Sequence, residues 1–490
     1  MILLALLAVP ALSGVGAFLI RRDAIRRTIL VSAALLHALL TAATWGARPD
    51  PISGGWLYLD QLGQVVLSVT SLLFLAAAVY AVGYLRRESR GSRQDFEEGL
   101  LFTNAPEATF TCCMLLFLAA MTLVAVSQRF GLLWVAIEAT TLASAPLIYF
   151  HRHHRSLEAT WKYLLICSVG IALALLGNFF LAVAASNPGG APIPLVLGDL
   201  LRDAGRLHVP WLQAAFLLFL VGYGTKMGLA PLHTWLPDAH SEAPSVVSAL
   251  LSGALLNCAF LGILRVQQVC VAAGCGDFGR ELLVGFGFLS MGVAAIFIIG
   301  QADFKRLLAY SSVEHMGILS LGVGIGGAGS FGALLHAVNH SLAKGLLFLV
   351  AGNILALYRT KSTAEVRGVL RALPVSGILW VAGLFAIIGS PPFGIFLSEL
   401  TILKAALDQG RSGVAAAYLA LLAVVFVGMV TAAMRMAQGA CDRVPQLDRR
   451  SESVLAVGPP AALAMLVLLL GLYVPPLLRS ALEQAARLLG

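Results

Sequence analysis

The chain has 490 residues, of which 59% are hydrophobic and only 12% charged, and its mean hydropathy is +0.87. That usage excludes a soluble globular protein and makes lipid the solvent. A formal net charge of +8 raises nucleic acid as a partner, but the basic residues are scattered through short loops between apolar stretches, which excludes it and leaves the bilayer.

A bilayer core is crossed by about 20 apolar residues, and such stretches follow one another along the chain. They predict fourteen spans at roughly 2–20, 28–46, 62–85, 108–127, 130–150, 161–185, 211–233, 244–264, 282–300, 307–326, 331–357, 373–406, 413–434 and 453–475. The first could pass for a signal peptide. It lacks a basic leading segment, however, and Arg21 and Arg22 follow it without a small-residue cleavage site, so it reads as a retained helix.

Fourteen spans put both termini on one side of the membrane. Sorted by alternate loops, 21 Lys and Arg residues fall on one face and nine, Arg129 and Arg265 among them, on the other. The richer face is expected to be cytoplasmic, which places the chain in the inner (cytoplasmic) membrane with both termini on the outer, periplasmic side. The remaining basic residues, Lys226, Lys344 and Lys404, fall inside spans.

Seven cysteines show no C-x-x-C spacing and no matching histidine set, so no metal and no cofactor is expected on this chain. Cys270 and Cys275 share one predicted loop, where a disulfide is an alternative to two small thiols.

An ionisable side chain inside a span costs several kcal/mol unless it faces a bundle interior or water, so each is a functional candidate. Glu138 lies midway along the fifth span in GLLWVAIEATTLASA; its alternative role is a protonated carboxyl bonded to a neighbouring helix. Lys226, in VGYGTKMGLAPLHTWLPDAH, is surrounded by Gly222, Gly224, Gly228 and Pro231, which break helix geometry. Broken spans are tolerated where the freed backbone lines a polar cavity, and they mark ion sites in transporters. Lysine suits such a place because burial readily shifts its hold on a proton, and a carboxylate that approaches or retreats can complete the switch.

Glu314 and His315 in AYSSVEHMGILSL are candidates for a central link. In the eleventh span His336, His340 and Lys344 recur at i, i+4 and i+8, on one helix face. Helix-to-helix polar contacts would explain them too, but a wet strip for proton hopping fits all three. The twelfth span carries a second break, Gly389, Pro391, Pro392 and Gly394, just ahead of Glu399. Lys404 lies nearer the outer end, where it either relays a proton or snorkels to the interface.

The two breaks, each beside a charge, stand five spans apart, as if residues 108–270 and 281–436 were two inverted copies of one five-helix unit, preceded by 1–107 and followed by 453–490. The expected fold is therefore an all-α integral membrane protein of about fourteen helices with two inverted repeats and discontinuous seventh and twelfth spans.

The segments KMGLAPLHTWLPDAHSEAPSVVSALLSG, DFKRLLAYSSVEHMG and LLHAVNHSLAKGLLFLVAGN resemble the antiporter-like subunits of respiratory complex I, of Mrp-type cation/proton antiporters and of group 4 membrane-bound hydrogenases. EATTLASA and WKYLLICSVGIALALLG look most like the hydrogenase-4 component F branch. The resemblance implies a glutamate–lysine pair at Glu138 and Lys226 and an exit residue at Glu399. It also implies a proton-translocating subunit driven by other membrane subunits and a peripheral redox arm, with Mrp-type sodium/proton antiport as the alternative. One departure stands out: complex I relatives commonly carry a lysine in the eighth span, where this sequence has Asn257. Asn can orient water but cannot hold the proton, so the link between half-channels must rest on Glu314, His315, His336, His340 or Lys344.

Overall fold

In hydrocarbon each backbone N–H and C=O must be satisfied within its own segment, so long apolar runs fold as helices. The computed structural model describes residues 1–88, 91, 93–186, 191–439 and 452–490. Arg90, Cys441, Arg443, Arg449 and Arg450, which the sequence reading counted, lie outside the described residues.

The chain opens with α1 (Ile2–Leu19), α2 (Asp23–Gly46) and α3 (Gln61–Arg87). A two-residue antiparallel ladder, β1 (Arg93–Gln94) with β2 (Leu101–Phe102), caps the loop that follows. Next come α4 (Glu107–Val126), α5 (Phe130–Ile148), α6 (His154–Ala184), the short α7 (Leu197–Arg202), α8 (Val209–Met227), α9 (Trp235–Glu242), α10 (Ser245–Leu250) and α11 (Leu256–Ala272). The second half holds α12 (Gly276–Ile298), α13 (Phe304–Ile325), α14 (Ala328–Tyr358), α15 (Val369–Ala372), α16 (Pro374–Ile387), α17 (Gly394–Asp408), α18 (Ser412–Ala437), α19 (Val454–Leu472) and α20 (Pro476–Arg487).

Eleven helices among the described residues are long and apolar enough to cross a membrane. The other three expected spans correspond to α8 and α13, which carry charge, and to the pair α16 and α17, whose 14 and 15 residues are each too short alone. Both breaks fall where the Gly–Pro clusters predicted them. Gly228 ends α8 at φ 87°, and Gly389 follows α16 at φ 67°, the left-handed region open to glycine. Each break also carries a cis X–Pro bond, at Ala230–Pro231 and Pro391–Pro392.

The span formed by α10, a π-turn at Leu251–Leu255 and α11 is the centre of the bundle, fully buried along its apolar window. A helix apolar all round belongs inside a large bundle. It packs against α8, α14 and α3. Elsewhere small residues set the crossings: a Cβ on Gly222 would lie 2.6 Å from the Gly170 carbonyl, so α6 and α8 meet backbone to backbone. At the C-terminal end α20 is amphipathic and buries Ala481, Leu482, Ala485 and Ala486 against α3 and α14. Among the described residues six cysteines, Cys270 and Cys275 included, are free thiols.

One basic residue is not where the loop count put it. Arg265, assigned to an outer loop, lies within α11, 1% exposed, and forms a bidentate ion pair with Asp60 at the start of α3. The apolar run was judged to end at the charge, whereas the helix continues because the charge is matched. Burial alone would raise the Asp60 carboxyl, but the Arg265 guanidinium outweighs it and holds the carboxyl below its ordinary range. A carboxyl held low in the folded state stabilises at all pH above its ordinary value, and that contribution fades as pH falls from there towards the lowered value. Asp60→Asn strands a buried guanidinium and is expected to destabilise the protein by about 3–5 kcal/mol, read as a lower thermal midpoint in detergent. A midpoint unchanged within error would show that the pair does not hold α3 to α11.

Candidate functional site

Lys226 stands in the last turn of α8, wholly buried. Its Nζ donates to Thr141 Oγ1 at 2.8 Å and to Tyr163 OH at 2.6 Å, and lies 4.5 Å from the centroid of the Tyr163 ring. Glu138 is one turn from Thr141 on α5 and accepts from its hydroxyl at 3.1 Å. Sequence reading paired Glu138 with Lys226 directly; the structure instead places the Thr141 hydroxyl between them. A hydroxyl accepts from one neighbour while donating to the next, so the pair is linked by a hydrogen-bond chain rather than an ion pair. Tyr163 continues the chain to Ser144 at 2.6 Å. Tyr163→Phe removes one of two acceptors from a buried amine. With about 1.5 kcal/mol at stake, the low end for a hydrogen bond to a charged group because the Thr141 oxygen remains, any step that charges Lys226 is expected to slow roughly tenfold, as measured in reconstituted vesicles.

Across the central helix the eighth-span position is filled as the sequence indicated. Asn257 donates to Ser341 Oγ at 2.7 Å and to the Gly253 carbonyl at 3.2 Å, while its Oδ1 has no protein partner. It thus ties α11 to α14 just after the π-turn, a local widening of the helix that often accompanies functional positions.

The expected strip on α14 is present and faces α13. Lys344 Nζ donates to the Leu308 carbonyl at 2.6 Å and to Ser311 Oγ, and lies within electrostatic reach of Glu314. His315 Nδ1 and His336 Nε2 are 2.8 Å apart, and His336 Nδ1 is 2.9 Å from Ser398 Oγ on α17. The His340 ring lies 5.1 Å from that of His315, and neither of its nitrogens has a protein partner; His315 Nε2 is likewise open.

Glu399 is buried on α17, one residue from Ser398. Its carboxylate rests on the break itself: a Cβ at Gly389 would overlap the Glu399 carboxylate oxygen. Ligand atoms of His315, His336 and Glu399 lie within 4.8 Å of one another. Both His336 nitrogens are already engaged, by His315 and Ser398, so the trio suits proton exchange better than metal ligation. Lys404 departs from the row. Its side chain is 71% exposed and pairs with Asp408 at 2.5 Å, which matches the snorkelling alternative rather than the relay.

Several neighbours escaped the sequence reading. Tyr418 on α18 is buried beside Glu399, with an unpartnered hydroxyl. On the face where Lys and Arg predominate, a cavity of about 600 Å³ is lined by Asp238, Glu242, Asp303, Arg306 and Lys361 among others. Lys361 bonds Glu242 at 2.7 Å, and the buried Lys305 donates to the carbonyls of Ser241 and Ala243 at 3.0 and 2.5 Å. Between this mouth and Lys344 stands His240, buried, stacked on Phe348 at 4.9 Å and without a protein partner on either nitrogen. The signal was in HTWLPDAH: a second histidine just past the break.

Residues 127–431 match the family described as "NADH:quinone oxidoreductase/Mrp antiporter, TM". A hydrogenase-4 component F homolog from Methylacidiphilum infernorum is 39% identical over 390 residues, covering 79% of this chain and 78% of the relative. A chain of the archaeal membrane-bound sulfane sulfur reductase superposes with a TM-score of 0.84 at 21% identity, covering 99% of both chains, a likeness of fold. A chain of respiratory complex I from Thermus thermophilus superposes with a TM-score of 0.77 at 25% identity, covering 96% of this chain and 97% of the other.

Proposed function

Because the chain belongs to the NADH:quinone oxidoreductase/Mrp antiporter transmembrane family, we propose that it translocates protons within a multi-subunit complex. The observation that carries the reading is the row of polar side chains that starts at the half-buried Glu138, runs through Thr141 to the buried Lys226 and continues, past Asn257 and with gaps between its members, to the buried Lys344, His340, His315, His336 and Glu399. Buried polar atoms in folded proteins are satisfied by protein or by ordered water. The open atoms of His240, His340, His315 and Asn257 are where water would complete the row.

The reading places uptake at the charged mouth beside Glu242 and Lys361, on a cytoplasmic face, with release past Glu399 and Tyr418 towards the periplasm. Residues 108–270 and 281–436 act as two inverted half-channels in an inner membrane. Redox chemistry belongs to a peripheral arm on partner subunits, and this chain responds electrostatically. When Glu138 is charged and near, Thr141 relays its pull and the proton stays on Lys226; when that pull weakens, the buried amine releases it inward.

Sodium is the second reading, because Glu138, Thr141, Ser144, Tyr163 and Ser168 supply oxygens in one cluster. The Lys226 amine already occupies the centre of that cluster, which favours protons. In proteoliposomes holding the whole complex, redox turnover is expected to acidify the lumen equally in sodium-free and sodium-containing buffer. Strict sodium dependence would replace the reading with antiport.

A further inference from the structure

We infer that a groove between α12 and α18 binds one anionic phospholipid. The groove encloses about 600 Å³. Its wall is formed by Ile299, Val424 and Val427, which are 61%, 40% and 63% exposed and lie on the outer surface of the bundle. Gly428 sets the floor: a Cβ there would lie 2.8 Å from Ile298 Cγ2, so α18 approaches the end of α12 closely and leaves a furrow beside the contact.

The polar end is built by different elements. Arg435 lies in the last turn of α18, and Arg367 in the loop after α14. Both are exposed, and neither has an acidic partner among the described residues, whereas the nearby Lys361 and Arg306 are paired with Glu242 and Asp238. Arg367 is held in place: its Nε donates to the Ala364 carbonyl at 3.0 Å and its own carbonyl accepts from Tyr358 OH at 2.6 Å, and the residue lines the groove. Both arginines share the face of the bundle where basic residues predominate. Two guanidinium groups that have no acidic partner among the described residues and that cap an apolar furrow fit a ligand with an anionic head and a hydrocarbon tail. A free phosphate would leave the furrow unfilled, and basic pockets between helix ends on that side of a membrane suit phospholipid head groups.

The test is native mass spectrometry of the purified whole complex, exchanged into nanodiscs of phosphatidylcholine with a fraction of phosphatidylglycerol. Wild type is expected to retain one more phosphatidylglycerol than the double variant Arg367→Gln/Arg435→Gln, whose affinity should fall about thirty-fold for two lost cationic contacts. Ala423→Phe, which narrows the exposed furrow without touching the arginines or the buried core, should lower retention as well. Arg367→Lys/Arg435→Lys should restore part of it. Equal retention in wild type and both blocking variants overturns the proposal. So does loss of partner subunits from the double variant with lipid retention unchanged, which would make the groove a protein interface. Proton translocation need not work for this measurement, so its outcome is separate from the proposed function.

Discussion

Lys226→Ala is expected to lower proton translocation through this subunit on the order of a hundredfold, the scale at which removing a positioned proton carrier acts, while the complex still assembles. The amine is wholly buried and held by two neutral oxygens rather than a carboxylate. Without a close counter-ion, its charged form depends on the field relayed from Glu138 through Thr141. Alanine removes the carrier, and no other described side chain on α8 can replace it. Thr141→Ala is a sharper probe, because it keeps both ionisable groups and cuts only the hydroxyl between them. It should resemble Glu138→Gln in direction and fall short of Lys226→Ala in size. If Thr141→Ala pumps like wild type while Glu138→Gln does not, the two residues couple by another route. Native gels and redox turnover check assembly in each variant.

Glu399→Gln comes second in size. The glutamine keeps the shape and the place over the Gly389 break but cannot carry a proton. Protons should reach His336 and stall there, so pumping per electron falls while redox turnover persists. The same carboxylate accounts for Gly389, which sits at φ 67° in contact with it. Gly389→Ala is disfavoured both by that φ and by overlap with the Glu399 carboxylate, and it should displace the carboxylate from His315 and His336. A normal proton-to-electron ratio in Glu399→Gln would remove this residue from the route.

What the sequence made readable was whatever lipid makes expensive. A lysine at 226, a carboxylate at 399 and Gly–Pro clusters beside both cannot be incidental in hydrocarbon, and the structure sets all of them where breaks and buried polar groups meet. Contacts built from ordinary residues were unreadable. Thr141 is a common helix residue, and nothing in one sequence shows that its hydroxyl faces Lys226, 85 positions away. Arg265 looked like the end of a span because its partner, Asp60, is 205 positions distant. His240 lay in what read as a loop, since the half-helix beyond the break is too short to register by periodicity. Lys404 reads equally as a relay or as a snorkelling residue, because its distance along α17 does not show which way it faces; in the structure its side chain is exposed and pairs with Asp408.

The central claim is that protons cross this chain along the buried row, and the proton-to-electron ratio of the reconstituted complex carrying Lys344→Met tests it most directly. Lys344 joins the His240 side of the row to His340 and His315, and methionine fills its volume without holding a proton. The account predicts a lower ratio at preserved redox turnover and preserved assembly. An unchanged ratio would contradict it.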